Sequence, residues 1–293
     1  MENHKAGFVA ILGKPNVGKS TLMNQLVGER LSIITSKAQT TRHRIMGIIN
    51  GEDYQIVYSD TPGIIEPKYE LQKAMMGFVD SSLEDADLIL LVVEMGMKEI
   101  EESILEKLGQ VGSPVFLVLN KVDLGDQEAV NEKMNYWREK FPFKDIIPVS
   151  ALHGFNCDTV FDSIVDSLPV HPPFFAKDEL TDKPERFFAS EIIREKIFLN
   201  YQKEIPYSCE VAVTAFKEEE AIIRIRAEIY VERSSQKIIL IGKGGQMLKK
   251  VGTEARKDME EFFQKKVFLE QFVKVDSDWR KKVSRLKNFG YKN

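Results

Sequence analysis

The stretch Gly13-Lys14-Pro15-Asn16-Val17-Gly18-Lys19-Ser20 lies between the apolar run Phe8-Val9-Ala10-Ile11-Leu12 and a helical pattern that begins Thr21-Leu22-Met23. Strand, glycine-bounded loop and helix in that order make a cradle for a polyphosphate. The glycines let backbone N–H groups turn inward, Lys19 reaches the outer phosphates, and the Ser20 hydroxyl is available to magnesium. The loop residues and Thr21 are therefore candidate contacts to a nucleoside triphosphate.

Four further motifs follow, the last three of them at strand ends. The polar segment around Gln39-Thr40-Thr41-Arg42-His43 has no apolar periodicity. It reads as a switch loop in which Thr41, with Thr40 as the alternative, completes a magnesium shell when a γ-phosphate is present. Strands near 44–50 and 54–59 lead into Asp60-Thr61-Pro62-Gly63, where the carboxylate can hold magnesium through water and the Gly63 N–H can sense the γ-phosphate. The predicted metal ligands are thus Ser20, Thr41 and Asp60. A strand over 114–119 ends in Asn120-Lys121-Val122-Asp123. Asp123 can accept from the N1–H and exocyclic amine of guanine, Asn120 can bond the base and brace the phosphate loop, and the Lys121 stem can cover the ring. Adenine offers that carboxylate no matching pair of donors, so the pattern selects GTP. Backbone N–H groups of Ser150-Ala151-Leu152, after a strand at 145–149, are placed to meet the guanine oxygen.

Strands alternating with helices predict an α/β domain with a doubly wound, mostly parallel sheet over residues 1–170. The residue after Gly63 is Ile64, which cannot orient water by hydrogen bonding, so intrinsic turnover is expected to be slow.

The 293-residue chain is 43% apolar and 29% charged, as in an ordinary globular protein. No run approaches the roughly 20 apolar residues that span a bilayer. The start Met1-Glu2-Asn3-His4-Lys5 lacks a signal-peptide core, which predicts a cytoplasmic location. Cys157 and Cys209 match no metal or redox spacing. The net charge of −4 hides a split: from Glu185 onward 23 Lys and Arg face 17 Asp and Glu, net +6, leaving 18 against 28, net −10, before it. The back half is the one suited to a polyanion.

Proline-rich 168–175 and polar 176–184 predict a linker over 171–184. In residues 185–293 a helix, two β-rich runs (208–216 and 221–232), two helices (235–241 and 246–263) and a strand (266–275) are expected. Between those two helices lies Ile241-Gly242-Lys243-Gly244-Gly245-Gln246-Met247-Leu248-Lys249-Lys250. Its glycines admit a nucleic-acid backbone, its helix N-terminus and Lys243, Lys249 and Lys250 attract phosphate, and Ile239, Ile241 and Leu248 can line the base side. The basic tail 278–287, with Arg280 and Lys281, reads either as a solvated face or as an accessory RNA contact.

In order and spacing, the front-half motifs resemble the GTP-binding domain of translation-factor-related GTPases. The form G-x-P-N-x-G-K-S together with Gln39-Thr40-Thr41-Arg42-His43 resembles the Era family of bacterial ribosome-assembly GTPases, and the back half resembles a smaller α+β type II KH domain. The resemblance implies catalysis centred on Lys19, Thr41 and Gly63, with magnesium. It also implies a potassium ion for which Asn16 is the candidate ligand, a structural role for Asn16 being the alternative. It further implies binding of small-subunit (16S) ribosomal RNA near its 3′ end and of the 30S subunit, as a monomer, with weak association to the inner membrane surface as an added expectation. Two rivals stand beside it: an RNA-binding module holding GTP without turnover, and a membrane-surface GTPase steered by the tail.

Overall fold

The computed structural model describes residues 3–291, which fall into two compact units. The first comprises the chain up to Ile34, Thr41–Glu66 and Met75–Asp182; the second comprises Thr35–Thr40, Pro67–Ala74 and Lys183 onward.

In the first unit the order is β1 (Lys5–Leu12), α1 (Lys19–Val27), β2 (Ile45–Asn50), β3 (Tyr54–Asp60), α2 (Glu70–Glu84), β4 (Leu88–Glu94), α3 (Glu102–Gln110), β5 (Val115–Asn120), α4 (Gln127–Arg138), β6 (Asp145–Pro148) and α5 (Cys157–Ser167). The sheet runs β2-β3-β1-β4-β5-β6, parallel except for β2 against β3. β4 reads Leu-Ile-Leu-Leu-Val-Val-Glu and β5 reads Val-Phe-Leu-Val-Leu-Asn; six residues of each are buried, as strands covered on both faces require. From β1 the chain places β3 on one side and β4 on the other, so the loop after β1 opens at the point where the strand order reverses.

Residues 171–182, expected as a linker, adhere to this unit. The Ile48 amide donates to Leu180 O at 2.8 Å and the Met46 amide to Asp182 Oδ1 at 3.0 Å. Gln55 Nε2 donates to Phe175 O at 2.9 Å, and the Phe174 ring lies 4.7 Å from Phe8. β2 is an edge strand, and an edge leaves a row of unpaired N–H and C=O groups. The Pro-rich segment supplies partners for that edge.

The second unit contains α6 (Glu185–Asn200), a single turn α7 (Ile205–Ser208), β7 (Glu210–Glu218), β8 (Ile222–Val231), α8 (Ser234–Ile241), α9 (Gln246–Phe262), β9 (Lys266–Val275) and α10 (Val283–Asn288). β8 is central, antiparallel to β7 and parallel to β9, with a bulge in β7 between Val213 and Ala215. Ile193 and Ile197 of α6, Val251, Ala255 and Met259 of α9, and the inward β8 residues Ile223, Ile225, Ala227 and Ile229 form its core.

The tail is built into this unit. Trp279 is fully buried and its Nε1 donates to Ser208 O at 3.0 Å; Leu286 is buried, and Tyr291 Oη donates to Glu210 Oε2 at 2.6 Å. Lys281, Lys282 and Lys287 stay exposed on its surface.

Candidate functional site

In the first unit the Gly13–Ser20, Asp60–Gly63, Asn120–Asp123 and Ser150–Leu152 motifs sit at the carboxyl ends of β1, β3, β5 and β6, and the Thr41 segment precedes β2. Gly18 caps α1 with φ 98°, and a Cβ there would lie 2.2 Å from Asn120 Nδ2. Only glycine permits both that backbone and that approach. The approach matters because Asn120 Nδ2 donates to Val17 O at 2.8 Å, while its Oδ1 accepts from the Lys121 and Ala151 amides at 2.8 and 3.0 Å. One buried side chain thus ties the phosphate loop to the base-reading loop. Lys121 Nζ donates to Asn16 O at 2.8 Å and pairs with Glu94, which stretches its stem across the same junction.

Asp123 is exposed, with Oδ1 accepting from Ser150 Oγ at 2.5 Å. That bond orients the carboxylate and leaves its other oxygen for a base edge. The Ser150 amide is engaged by Phe155 O at 3.1 Å and the Ala151 amide by Asn120. Those two donors therefore brace the loop, and Leu152 projects with 75% of its surface exposed.

At the phosphate end, Ser20 Oγ donates to Asp60 Oδ2 at 2.7 Å and lies 2.9 Å from Thr41 Oγ1. Thr40 turns instead to Thr35 Oγ1 and Lys37 O. Asp60 is fully buried and its Oδ1 has no hydrogen-bond partner. Burial pushes its carboxyl above the usual range, while the Ser20 hydroxyl and Lys19 ammonium pull the other way. Two hydroxyls and a buried, underbonded carboxylate are a hard-oxygen set that fits Mg2+; the single carboxylate leaves room for phosphate and water ligands. The three predicted metal ligands are thus together.

Lys19 is 6% exposed, its Nζ donating to Gly13 O and Lys14 O at 3.1 and 2.9 Å. Burial lowers its pKa to about 8, against the pull of Asp60. Lys14 is held by Glu101 at 2.8 Å. The Ile64 amide donates to Gly13 O at 3.0 Å, which sets Gly63 beside the loop, while the Ile64 side chain packs against the core. Asn16 has φ 65°, a left-handed backbone that asparagine tolerates better than most residues. Sequence reasoning missed Glu94 and Glu101, because acids at the end of β4 and before α3 carry no motif.

In the second unit α8 and α9 meet at Gly242–Gly245, with Gly242 at φ 74°, Gly244 at φ 58° and Gly245 at φ 77°. Lys243, Gln246, Lys249 and Lys250 are exposed around this loop. Ile239 is 49% exposed, whereas Ile241 and Leu248 are partly buried against the core. Ile238, not singled out from the sequence, is 71% exposed. Arg280 donates to Tyr207 O at 3.5 Å and pairs with Glu232, so its charge is engaged within the unit, while Lys281 is an exposed partner of Asp278 at 2.9 Å.

Comparison with known proteins agrees with both halves. Residues 8–121 match the family described as 50S ribosome-binding GTPase, and residues 204–280 match the KH domain family. The chain is 49% identical to the GTPase Era of Syntrophus aciditrophicus, covering 98% of this chain and 95% of that protein. It is 45% identical to the chloroplastic GTPase ERA1 of Zea mays, covering 99% and 71%. Among solved structures, Era in complex with MgGDPNP and nucleotides 1506–1542 of 16S ribosomal RNA superposes with a TM-score of 0.95 at 40% identity, over 99% of this chain and 100% of that one. A variant of Aquifex aeolicus Era bound to GDP and AlF4− gives 0.94 at 40% identity, again over 99% and 100%. With a nucleotide loop joined to a guanine-reading loop, a KH loop later in the sequence, and likeness along nearly its whole length, the chain belongs to the Era family of GTPases.

Proposed function

We propose that this GTPase is a switch that binds small-subunit ribosomal RNA near its 3′ end and assists maturation of the 30S subunit. What carries the reading is one chain holding both a guanine-nucleotide site and an open Gly242–Gly245 loop, in a family whose solved member holds MgGDPNP and nucleotides 1506–1542 of 16S ribosomal RNA.

The chain's own part in hydrolysis is positioning and charge. Backbone amides of Gly13–Ser20 and the Lys19 ammonium hold the β- and γ-phosphates, Gly63 N–H meets the γ-phosphate, and Asp123 with Asn120 fixes the base. Ser20, Thr41 and Asp60 would hold magnesium, which would supply positive charge against the triphosphate. Water attacks the γ-phosphorus, the bond to the β-bridging oxygen breaks, and GDP and phosphate leave. With Ile64 turned to the core, no side chain at that position orients the water, and turnover by the protein alone is slow. Potassium near Asn16 would supply the missing positive charge; turnover that is faster in potassium than in sodium supports it, and equal rates remove it.

The protein works in the cytoplasm as a monomer, and any contact with the inner membrane surface rests on the exposed Lys281, Lys282 and Lys287 alone. For RNA, Gly244→Asp places a carboxylate where phosphates must approach and is expected to weaken binding of a 3′-end oligonucleotide by about 10- to 100-fold. Basal GTP hydrolysis should be unchanged. Fluorescence anisotropy beside a phosphate-release assay checks both. Undiminished RNA affinity in this variant sinks the assignment of the loop.

A further inference from the structure

The sheet β7-β8-β9 has its inner face against α6, α8 and α9, and the Gly242–Gly245 loop belongs to that helical side. Its other face is covered by the tail at the Tyr230 end, where the Phe289 ring lies 5.1 Å from that of Tyr230, and is exposed along Arg224, Arg226, Phe268 and Phe272. On it Phe268 and Phe272 of β9 are 46% and 40% exposed. Single exposed apolar residues are ordinary, but these two share a face and each lies beneath a guanidinium. Arg224 Cζ is 5.3 Å from the Phe268 ring centroid and Arg226 Cζ is 4.6 Å from that of Phe272. The register pairs Arg224 with Phe268, Arg226 with Glu270 and Glu228 with Phe272, so the four side chains form one Arg–Phe layer across two strands.

The charges of this face are mostly matched to each other. Glu228 accepts from Lys274 at 2.6 Å and from Tyr230 at 2.5 Å, and Glu219 lies 3.3 Å from Arg224 and 3.4 Å from Lys217. Arg226 makes no direct ion pair among the described residues, and Glu270 is the acid that opposes it across the strands. What remains is a cationic, flat π surface. Phe268 and Phe272 are four residues apart on one strand, about 13 Å. That is too far for two adjacent stacked bases and suits bases separated by a nucleotide in an extended strand.

We propose that the exposed part of this sheet face is a second surface for single-stranded RNA, on which unpaired bases stack on the Phe268 and Phe272 layer while the Gly242–Gly245 loop holds another part of the strand. It rests on the reading of the second unit as RNA-binding. Exposed aromatics on a sheet, with arginine planes beside them, are what unpaired bases stack on irrespective of sequence. A protein partner fits less well, since acidic residues are depleted in protein interfaces, and here Glu270 sits between the rings.

The test compares a single-stranded RNA of about 4 nucleotides, which fills a KH cleft, with one of about 12, by anisotropy. The double variant Phe268→Ala, Phe272→Ala should bind the longer RNA about 10- to 100-fold more weakly and the shorter one as the parent does. Phe268→Tyr with Phe272→Tyr should keep the parent affinity, and Glu270→Gln should tighten the longer RNA a few-fold. Both substituted rings are solvent-facing, so unchanged thermal unfolding and GTP turnover certify the variants. Equal affinity of parent and double Ala variant for the longer RNA overturns the proposal. So does a double variant that loses binding to 30S subunits but keeps the RNA, which would make the face a protein contact. If the parent binds neither RNA, the RNA-binding reading itself fails; if Gly244→Asp weakens both RNAs and the double variant weakens neither, only the second surface fails.

Discussion

Asp123→Asn is expected to weaken GTP binding by about 10³- to 10⁴-fold and to move preference to xanthosine triphosphate. Ser150 Oγ already donates to Asp123 Oδ1 at 2.5 Å. An asparagine would keep that bond by presenting its carbonyl oxygen to Ser150, which turns the amide NH2 toward the base. Guanine then meets a donor where its N1–H and amine both need an acceptor, leaving donors facing one another in a partly dry site. Xanthine carries an oxygen in place of the amine, which accepts from the new NH2. Equilibrium binding of GTP, ATP and xanthosine triphosphate to parent and variant checks this. A variant that still prefers GTP would show that the base is read elsewhere, by the Asn120 or Ser150 loops alone.

The sequence made the strand-end motifs legible because each is a short covalent neighbourhood whose geometry is set by its own residues. The glycines and lysine of Gly13–Ser20 and the Asn120–Asp123 run carry their chemistry wherever a strand delivers them. The alternation of apolar runs with helical patterns likewise predicts a doubly wound sheet, and the β2 to β9 elements lie within a few residues of their expected places. The misplacements have physical causes. The pattern from Lys98 to Leu108 reads as one helix, but α3 starts at Glu102, since Glu101 takes an extended backbone at φ −57°, ψ 133° and ties to Lys14. Residues 171–184 read as a linker whose prolines limit its flexibility, but composition does not show that residues 171–182 pair with the β2 edge. The basic tail leaves a solvated face and an RNA contact both open because charge dominates its composition, and Trp279, whose type favours a packing anchor, is fully buried and decides its position. Long-range pairs such as Lys121–Glu94 and Lys274–Glu228, and the face shared by Phe268 and Phe272, depend on register between strands, which composition does not encode.

Lys19→Ala should slow single-turnover GTP hydrolysis by about 10²- to 10³-fold while changing the unfolding temperature of the nucleotide-free protein by no more than about 4 °C. The two halves of that expectation have one cause. The ammonium is buried, its pKa held down to about 8 by desolvation, and it donates to two loop carbonyls, Gly13 O and Lys14 O. Desolvation and hydrogen bonding oppose each other, so the charge contributes little net stability before substrate arrives. A triphosphate brings the anion that this ammonium lacks, and charge accumulating between β- and γ-phosphates in the transition state strengthens the contact further, which is what lowers a barrier. Removing the side chain therefore costs chemistry and triphosphate binding far more than it costs the fold. Rapid-quench measurement of phosphate formation, beside a thermal melt, separates the two. A rate within a few-fold of the parent would displace Lys19 from its role, and a large fall in unfolding temperature would mean that the ammonium works chiefly as a brace for the Gly13–Ser20 loop.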